Sequence, residues 1–405
     1  MKILYISVLS SERLIDDIYQ RSKQNPGFAV QKFSRLLVKG LLDNHAEVMA
    51  LSNPPSLAYN QRYWVSLGSE EESGICYKYI PYINLPFLKH CCLFLYSFCY
   101  VLAWGLIDRK NKAIVCDVLA ISICMGAWLA SKINRVISVG VVTDIYGLMV
   151  GNGKLSFLSR MAAFLNEWYV TSFSKYILLT EQMNSLVNPK GHPYMVMEAL
   201  CDSSLADQPF DPVEKVHPRT VIYAGGIHEK YGLKMLAEGF IKADVTDAKL
   251  VYFGSGGYVD EYKRLCELHS NLEYRGVATN EVVVAEELKA TLLVNPRFTT
   301  EAFTKYSFPS KNMEYMASGT PLLTTKLPGM PQEYYPHVFL FEEETVEGYA
   351  EVLRTILTYT EDELMVKGLD ARDFVLKTKN NIEQGKRVLA FISSDYPSDR
   401  NLKTI

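Results

Sequence analysis

The 405-residue sequence predicts an α/β protein of two doubly wound domains. Three observations carry that prediction. Short β-rich runs alternate with helical patterns from end to end, as βαβ units with parallel sheets require. The chain is about twice the length of a common domain. A stretch with three prolines and no periodicity, "CDSSLADQPFDPVEKVHPR" (Cys201 to Arg219), divides the halves and reads as a linker.

The elements follow in order. "MKILYISV" joins a lysine to a short apolar run, as a signal peptide does, but lacks a small-residue cleavage site, so Lys2–Val8 is read as the first strand. Further strands are expected at Glu47–Leu51, Tyr79–Ile83, Ala113–Cys116, Val136–Val142, Tyr176–Leu179 and Tyr194–Glu198. The second half offers Val221–Ala224, Leu250–Phe253, Leu272–Tyr274, Leu292–Asn295, Leu322–Thr324 and Val338–Phe341. In "GLKMLAEGFIKA" the residues Leu233, Leu236, Ala237 and Phe240 fall at i, i+3, i+4 and i+7, one face of a helix. "CCLFLYSFCYVLAWGLI", Cys91 to Ile107, runs seventeen residues without a charge. A span needs roughly 20, so a buried or interface-lying helix is expected. The expected domains are 1–200, the linker 201–219, 220–375, and a C-terminal helix, 376–405, returning to the first domain.

Apolar residues make up 48% of the chain and charged residues 21%, which suits a packed protein. A net charge of −3 argues against nucleic acid as a partner. Eight cysteines without a C-x-x-C pair, mostly within apolar runs, point to a reducing, cytoplasmic compartment. No histidine spacing, Asp-x-Asp pair or G-x-S-x-G elbow is present, so no metal or resident cofactor is expected. "GLMVGNGKL" misses the phosphate-loop spacing, and "GSGGYV" ends in valine where a dinucleotide fingerprint wants glycine.

Two stretches carry chemistry. "YAGGIHEKYGL", Tyr223 to Leu233, is a strand, a glycine pair and a helix start. Gly225 and Gly226 let a ligand approach the backbone, the helix start attracts an anion, and Lys230 adds charge. An ordinary tight turn is the alternative. In "FTKYSFPSKNMEYMASGTP", Phe303 to Pro321, a helix begins near Ser310, buries Met313, Met316 and Ala317, and ends at Gly319 and Pro321. Lys311 in its first turn opposes the helix dipole, and Arg297 and Lys305 belong to the same loop, so an anion is expected there. The competing reading pairs Lys311 with Glu314 at the surface. In the first half, "VGVVTDIYG" ends a strand at Asp144, a sugar-hydroxyl ligand, a stabiliser of positive charge or a helix cap. "VQKFSRLLVKG" sets Phe33, Leu36, Leu37 and Gly40 on one helix face and Lys32, Arg35 and Lys39 on another, either solvated charge or a contact for acceptor or membrane.

With "LVYFGSG", "LEYRGV", "LLVNPR" and above all "SFPSKNMEYMASGTPLL", the second half resembles the donor-binding domain of retaining GT-B glycosyltransferases of family four. "LLTEQMNSLVN" resembles members that build bacterial surface polysaccharides. The resemblance implies two Rossmann-like domains facing a central cleft. It also implies metal-independent transfer from a UDP- or GDP-sugar to a saccharide or lipid-linked saccharide, at or near the inner leaflet of a membrane. By the same resemblance Gly225 and Gly226 admit the diphosphate, Lys230 and Lys311 neutralise it, and Arg297 assists. Tyr306, Ser307, Phe308, Pro309 and Ser310 hold donor sugar and phosphate. Glu314 takes the ribose hydroxyls, and Arg275 and Val277 flank the base. Gln31, Lys32 and Arg35 are the expected acceptor contacts, and Asp144, Lys230 and Lys311 the catalytic set. Two positions depart from the family: Tyr306 stands where a first glutamate is usual, and Gly226 where an arginine is. A non-catalytic nucleotide-sugar-binding or partner subunit and a nucleotide-sugar epimerase are the alternatives.

Overall fold

The computed structural model describes residues 1–405 apart from 23–25, 55–62, 108–110, 146–164, 166, 208–213 and 395–405. The segment 147–155 compared above with a phosphate loop lies outside the described residues, as does part of the expected linker. The chain divides into two compact units, Met1–Leu200 with Asn381–Ile405, and Cys201–Asn380.

The first unit is built on an eight-stranded sheet. Its strands are β1 (Lys2–Ser7), β2 (Glu47–Ser52), β4 (Ser69–Glu72), β5 (Ile75–Tyr79), β7 (Lys112–Asp117), β8 (Ile137–Val142), β9 (Lys175–Leu178) and β10 (Tyr194–Val196). Their order is β10-β9-β8-β7-β1-β2-β5-β4. All neighbours pair in parallel except β4, which runs antiparallel to β5. The short β3 (Trp64–Val65) and β6 (Tyr82–Ile83) form a separate pair. Both faces of the sheet are covered, so β1 and β7 are buried almost throughout and read as continuous apolar runs.

The strand expected at Tyr79–Ile83 is a correction. The chain leaves the sheet at Tyr79, two residues before Pro81, and the paired segment is Ile75–Tyr79 instead. Its hairpin partner "SEEE" is an edge strand of charged residues, a composition that imitates a loop.

That hairpin has local work. Glu72 accepts hydrogen bonds from the amides of Glu12 (2.6 Å) and Arg13 (3.3 Å), the first residues of the helix Glu12–Ser22. Glu70 accepts from Ser11 (2.6 Å) and Tyr79 (2.5 Å) and pairs with Arg13 at 2.5 Å. At the chain's other end, the helix Asn381–Ser393 seats against Phe28–Asp43. The two helices approach so closely that a Cβ on Gly40 would strike the Asn381 carbonyl and one on Gly385 the Gly40 backbone. The buried Lys175 ammonium reaches Phe391 O at 2.5 Å and Ser394 Oγ at 2.8 Å.

The second unit carries a six-stranded parallel sheet: β11 (Arg219–Gly226), β12 (Ala248–Ser255), β13 (Leu272–Gly276), β14 (Leu292–Asn295), β15 (Leu322–Thr325) and β16 (Phe339–Phe341). Its order, β13-β12-β11-β14-β15-β16, begins at the centre, moves outward and returns to the other side. Such a sheet reverses direction between β11 and β14, and ligands of open α/β sheets bind outside the strand ends at this reversal. The helix Leu233–Ala243 buries Leu233, Leu236, Ala237 and Phe240 in one core with Tyr252, Tyr262, Tyr349 and Leu353. That stripe is the one its periodicity predicts.

Candidate functional site

The reversal point is open because the strands diverge there. β11 pairs with β14 only through Val221 and Ile222, whereas its ladder with β12 runs on to Gly225–Gly254 and Gly226–Ser255. The backbone freed on the β14 side is served by a side chain. The buried Tyr315 hydroxyl accepts from the Ala224 amide at 2.9 Å and lies 3.3 Å from the Ala224 carbonyl.

Two loops leave this point, 227–232 after β11 and 296–309 after β14. Gly232 joins them: its φ is +78°, and a Cβ would overlap the Pro296 carbonyl. The glycines predicted to admit a ligand also answer to their own neighbours. A Cβ on Gly225 would come within 3.0 Å of the Tyr223 hydroxyl, which donates to Gly226 O at 3.0 Å. A Cβ on Gly226 would stand 3.3 Å from the His228 and Tyr231 rings.

Two cations meet on one aromatic pair. The Arg297 guanidinium lies 5.0 Å from the Tyr231 ring centre and 6.0 Å from that of Phe303. The Lys230 ammonium stands over the same rings at 5.4 and 5.9 Å. The rings meet edge to face, 6.0 Å apart. Arg297 Nε is buried without a hydrogen-bond partner, and burial lowers the pKa of its guanidinium. Among the described residues neither cation has a carboxylate partner. A buried guanidinium without counter-charge is costly, and an anion bound there offsets the cost.

The helix Ser310–Ser318 is fixed at its start by a buried polar chain. Asn295 Nδ2 donates to Asn312 Oδ1 at 2.6 Å, and Thr324 Oγ1 donates to Asn295 O at 2.9 Å. Phe308 is buried against Tyr334, ring centres 5.2 Å apart. Pro309 is the N-cap; Asn312 N donates to Pro309 O at 2.9 Å, and no side chain caps the turn, so the amides of Ser310 and Lys311 have no partner within the helix. The loop ahead of it is pinned. Glu344 accepts from the Thr299 amide at 3.0 and 3.1 Å, and Phe303 O accepts from Tyr306 N (3.0 Å) and Ser307 Oγ (3.1 Å). Lys305 and Ser310 are exposed, and Pro309 is buried.

Lys311 is engaged with two carboxylates, Glu314 at 2.9 Å and the buried Glu287 at 3.8 Å. Burial would lower its pKa, but the two carboxylates outweigh burial and hold the ammonium above its ordinary value. This cluster therefore balances one cation against two anions, whereas Arg297 and Lys230 are left positive. Arg275 pairs with Glu273 at 2.6 Å and with Glu286, beside the Phe253 ring, and Val277 is exposed.

The remaining expected residues belong to the first unit. Asp144 follows β8, and burial raises its pKa. At the end of β7, the buried Asp117 is pushed up to about 6 by burial and the charge of Asp144, against one hydrogen bond from the Leu119 amide. Gln31 is buried and braces the loop after β1, accepting from Ser10 N and donating to Val8 O, both at 2.8 Å. Arg35 pairs with Glu12 at 2.9 Å and donates to Ser10 O at 3.0 Å, while Lys32 is exposed.

Sequence reasoning missed Asn295, Asn312, Tyr315, Glu287 and Asp117. Asp117 alone left a signal, a carboxylate closing an otherwise apolar strand. Among the described residues no group of three or more His, Cys, Asp and Glu side chains is arranged to hold a metal ion.

Residues 218–359 match the family described as "Glycosyl transferases group 1". No curated protein matches the chain. Among solved structures, HepE of Anabaena in complex with UDP is similar at a TM-score of 0.62 and 15% identity, over 97% of this chain and 100% of that one. The lipopolysaccharide outer core galactosyltransferase WaaB is similar at 0.59 and 14%, over 97% and 99%. Sucrose-phosphate synthase from Thermosynechococcus elongatus is similar at 0.58 and 13%, over 96% and 98%. The chain thus has the GT-B fold of two Rossmann-like domains, and residues 218–359 of its second unit are similar to the glycosyltransferase group 1 family.

Proposed function

We propose that the protein transfers a sugar from a nucleotide diphosphate sugar to a saccharide or lipid-linked saccharide acceptor, with retention at the anomeric carbon and without a metal. The observation that carries this reading is the unpaired cation pair Arg297 and Lys230 at the reversal point of the second sheet. A departing nucleotide diphosphate gathers negative charge, and fixed cations with uncapped helix amides stabilise it most where water is scarce. Glu314 faces the ribose hydroxyls as an acceptor, held by Lys311. The backbone of Ser307–Ser310 cradles phosphate and sugar, and Asp144 serves the acceptor side. The similar HepE structures hold UDP, UDP with glucose, and UDP-glucose, which makes a uridine nucleotide the first donor to try.

Isothermal titration of UDP and UDP-glucose tests the reading. Arg297→Ala is expected to weaken binding roughly tenfold to hundredfold, the worth of one or two hydrogen bonds to a charged group. An unaltered affinity refutes the site. Tyr306 at the usual glutamate position favours a second reading, a subunit that binds a nucleotide sugar without turning it over. Tight binding without donor consumption across a panel of acceptors selects that reading.

A further inference from the structure

The helix Pro86–Leu106 of the first unit presents an unbroken apolar stripe to solvent. Leu88, Leu95, Cys99, Ala103 and Leu106 are exposed and recur at spacings of seven, four, four and three residues, which keeps them on one face. The stripe is about 27 Å long at the usual helical rise. Beside it the helix Ile121–Asn134 exposes Leu129 and Ile133.

The two helices carry charge of one sign only. Neither helix contains an Asp or Glu. Lys89 and His90 stand at one end, and Lys132 and Arg135 at the other, because the two helices run side by side in the same direction. Their course is fixed by His90 beside Ser122 (2.7 Å) at the start and by Asn134 donating to Leu102 O (2.9 Å) near the end.

The helix is long and apolar enough to cross a bilayer, with only 17% of its most apolar stretch buried. It is nonetheless clamped to its unit. Gly126 lies under Phe94 and Ser97 with no room for a Cβ, and Gly105 does the same against Asn134. The buried Lys112 ammonium holds Trp104 O at 2.6 Å and also Ile107 O, closing the helix end. Crossing would break these contacts and strand Lys112, so the helix stays flat.

We propose that this helix pair docks the protein on a bilayer surface carrying anionic headgroups. The leucines enter the boundary of the acyl region, and Lys89, His90, Lys132 and Arg135 meet the headgroups, an interfacial geometry whose strength adds apolar burial to electrostatic attraction. The proposal is independent of sugar transfer, since it is read by partition and not by turnover.

Vesicle flotation of the full chain tests it, with phosphatidylcholine alone and mixed with phosphatidylglycerol, at low and high salt. The chain is expected to float with the mixed vesicles, less so in high salt, and poorly with phosphatidylcholine alone. Leu88→Ser with Leu95→Ser and Leu106→Ser is expected to lower the partition coefficient at least ~10-fold. Lys89→Gln with Lys132→Gln is expected to lower it about tenfold. Leu95→Ser alone, on an exposed position, gives a smaller loss without touching the fold, as its melting temperature will report. Failure of the wild type to float, or flotation of the triple variant like the wild type, overturns the proposal. So does a wild-type dimer in sedimentation that the triple variant abolishes, since a second copy would then be the cover.

Discussion

Arg297 is kept where burial disfavours its charge, and its compensation in the protein alone consists of two aromatic faces, each worth about 2 kcal/mol where water is excluded. Lys311, by contrast, is answered by Glu314 and Glu287. The sequence exposed both cations through their place beside a helix start. It hid the difference between them, because Glu287 lies 24 positions upstream on another helix and nothing local links the two. Asp117 gives a prediction at this scale. Its carboxyl titrates near 6 in the folded protein against an ordinary 3.8, so the folded state binds a proton more tightly than the unfolded chain. Its contribution to stability is then full below about pH 4, falls as pH rises to about 6, and is constant above, a loss of roughly 3 kcal/mol for a shift of this size. Asp117→Asn is expected to flatten that slope and raise stability above pH 6, with little change at pH 4, in denaturant unfolding across pH. An unchanged slope refutes the assignment.

Among the elements, parallel strands covered on both faces were legible because their residues are apolar throughout, and the helix Leu233–Ala243 because its stripe is regular. The hairpin of β4 and β5 was not, because an edge strand of serine and glutamates carries no apolar signal. The start of the helix Ser310–Ser318 was legible from Pro309, but what seats it was not: Asn312 resembles a surface residue until its bond to Asn295 is seen. Asn312→Ala leaves the buried Asn295 amide without its acceptor, and a loss of about 1–3 kcal/mol in chemical unfolding is expected. The variant should also weaken UDP binding, since the loop 296–309 and the helix start lose a shared anchor. A stable variant with weak binding would confine Asn312 to the site, and a stable variant with normal binding would remove it from both roles.

For the whole molecule, the path of the chain predicts how it melts. The last described helix belongs to the first unit, with Val388 and Ile392 in the core beneath Leu37 and Leu41. Ending the chain at Asn380 uncovers that core without removing a residue of the second unit. Calorimetry is expected to show the first unit's transition lowered by at least about 5 °C. A UDP-dependent rise in the second transition is expected to persist. A truncated chain in which both transitions fall together would mean that the units unfold as one.

Because Glu72 already sits on the amides of Glu12 and Arg13, the helix leaving the first sheet's central strand has its positive pole spent. In the other sheet, the helix Ser310–Ser318 that follows β14 has Pro309 as its N-cap and no side chain capping its first turn. A carboxylate already occupies the leading amides at the first of these helix starts, and no side chain does so at the second. The edge hairpin thereby closes one helix start of the first unit to any added anion.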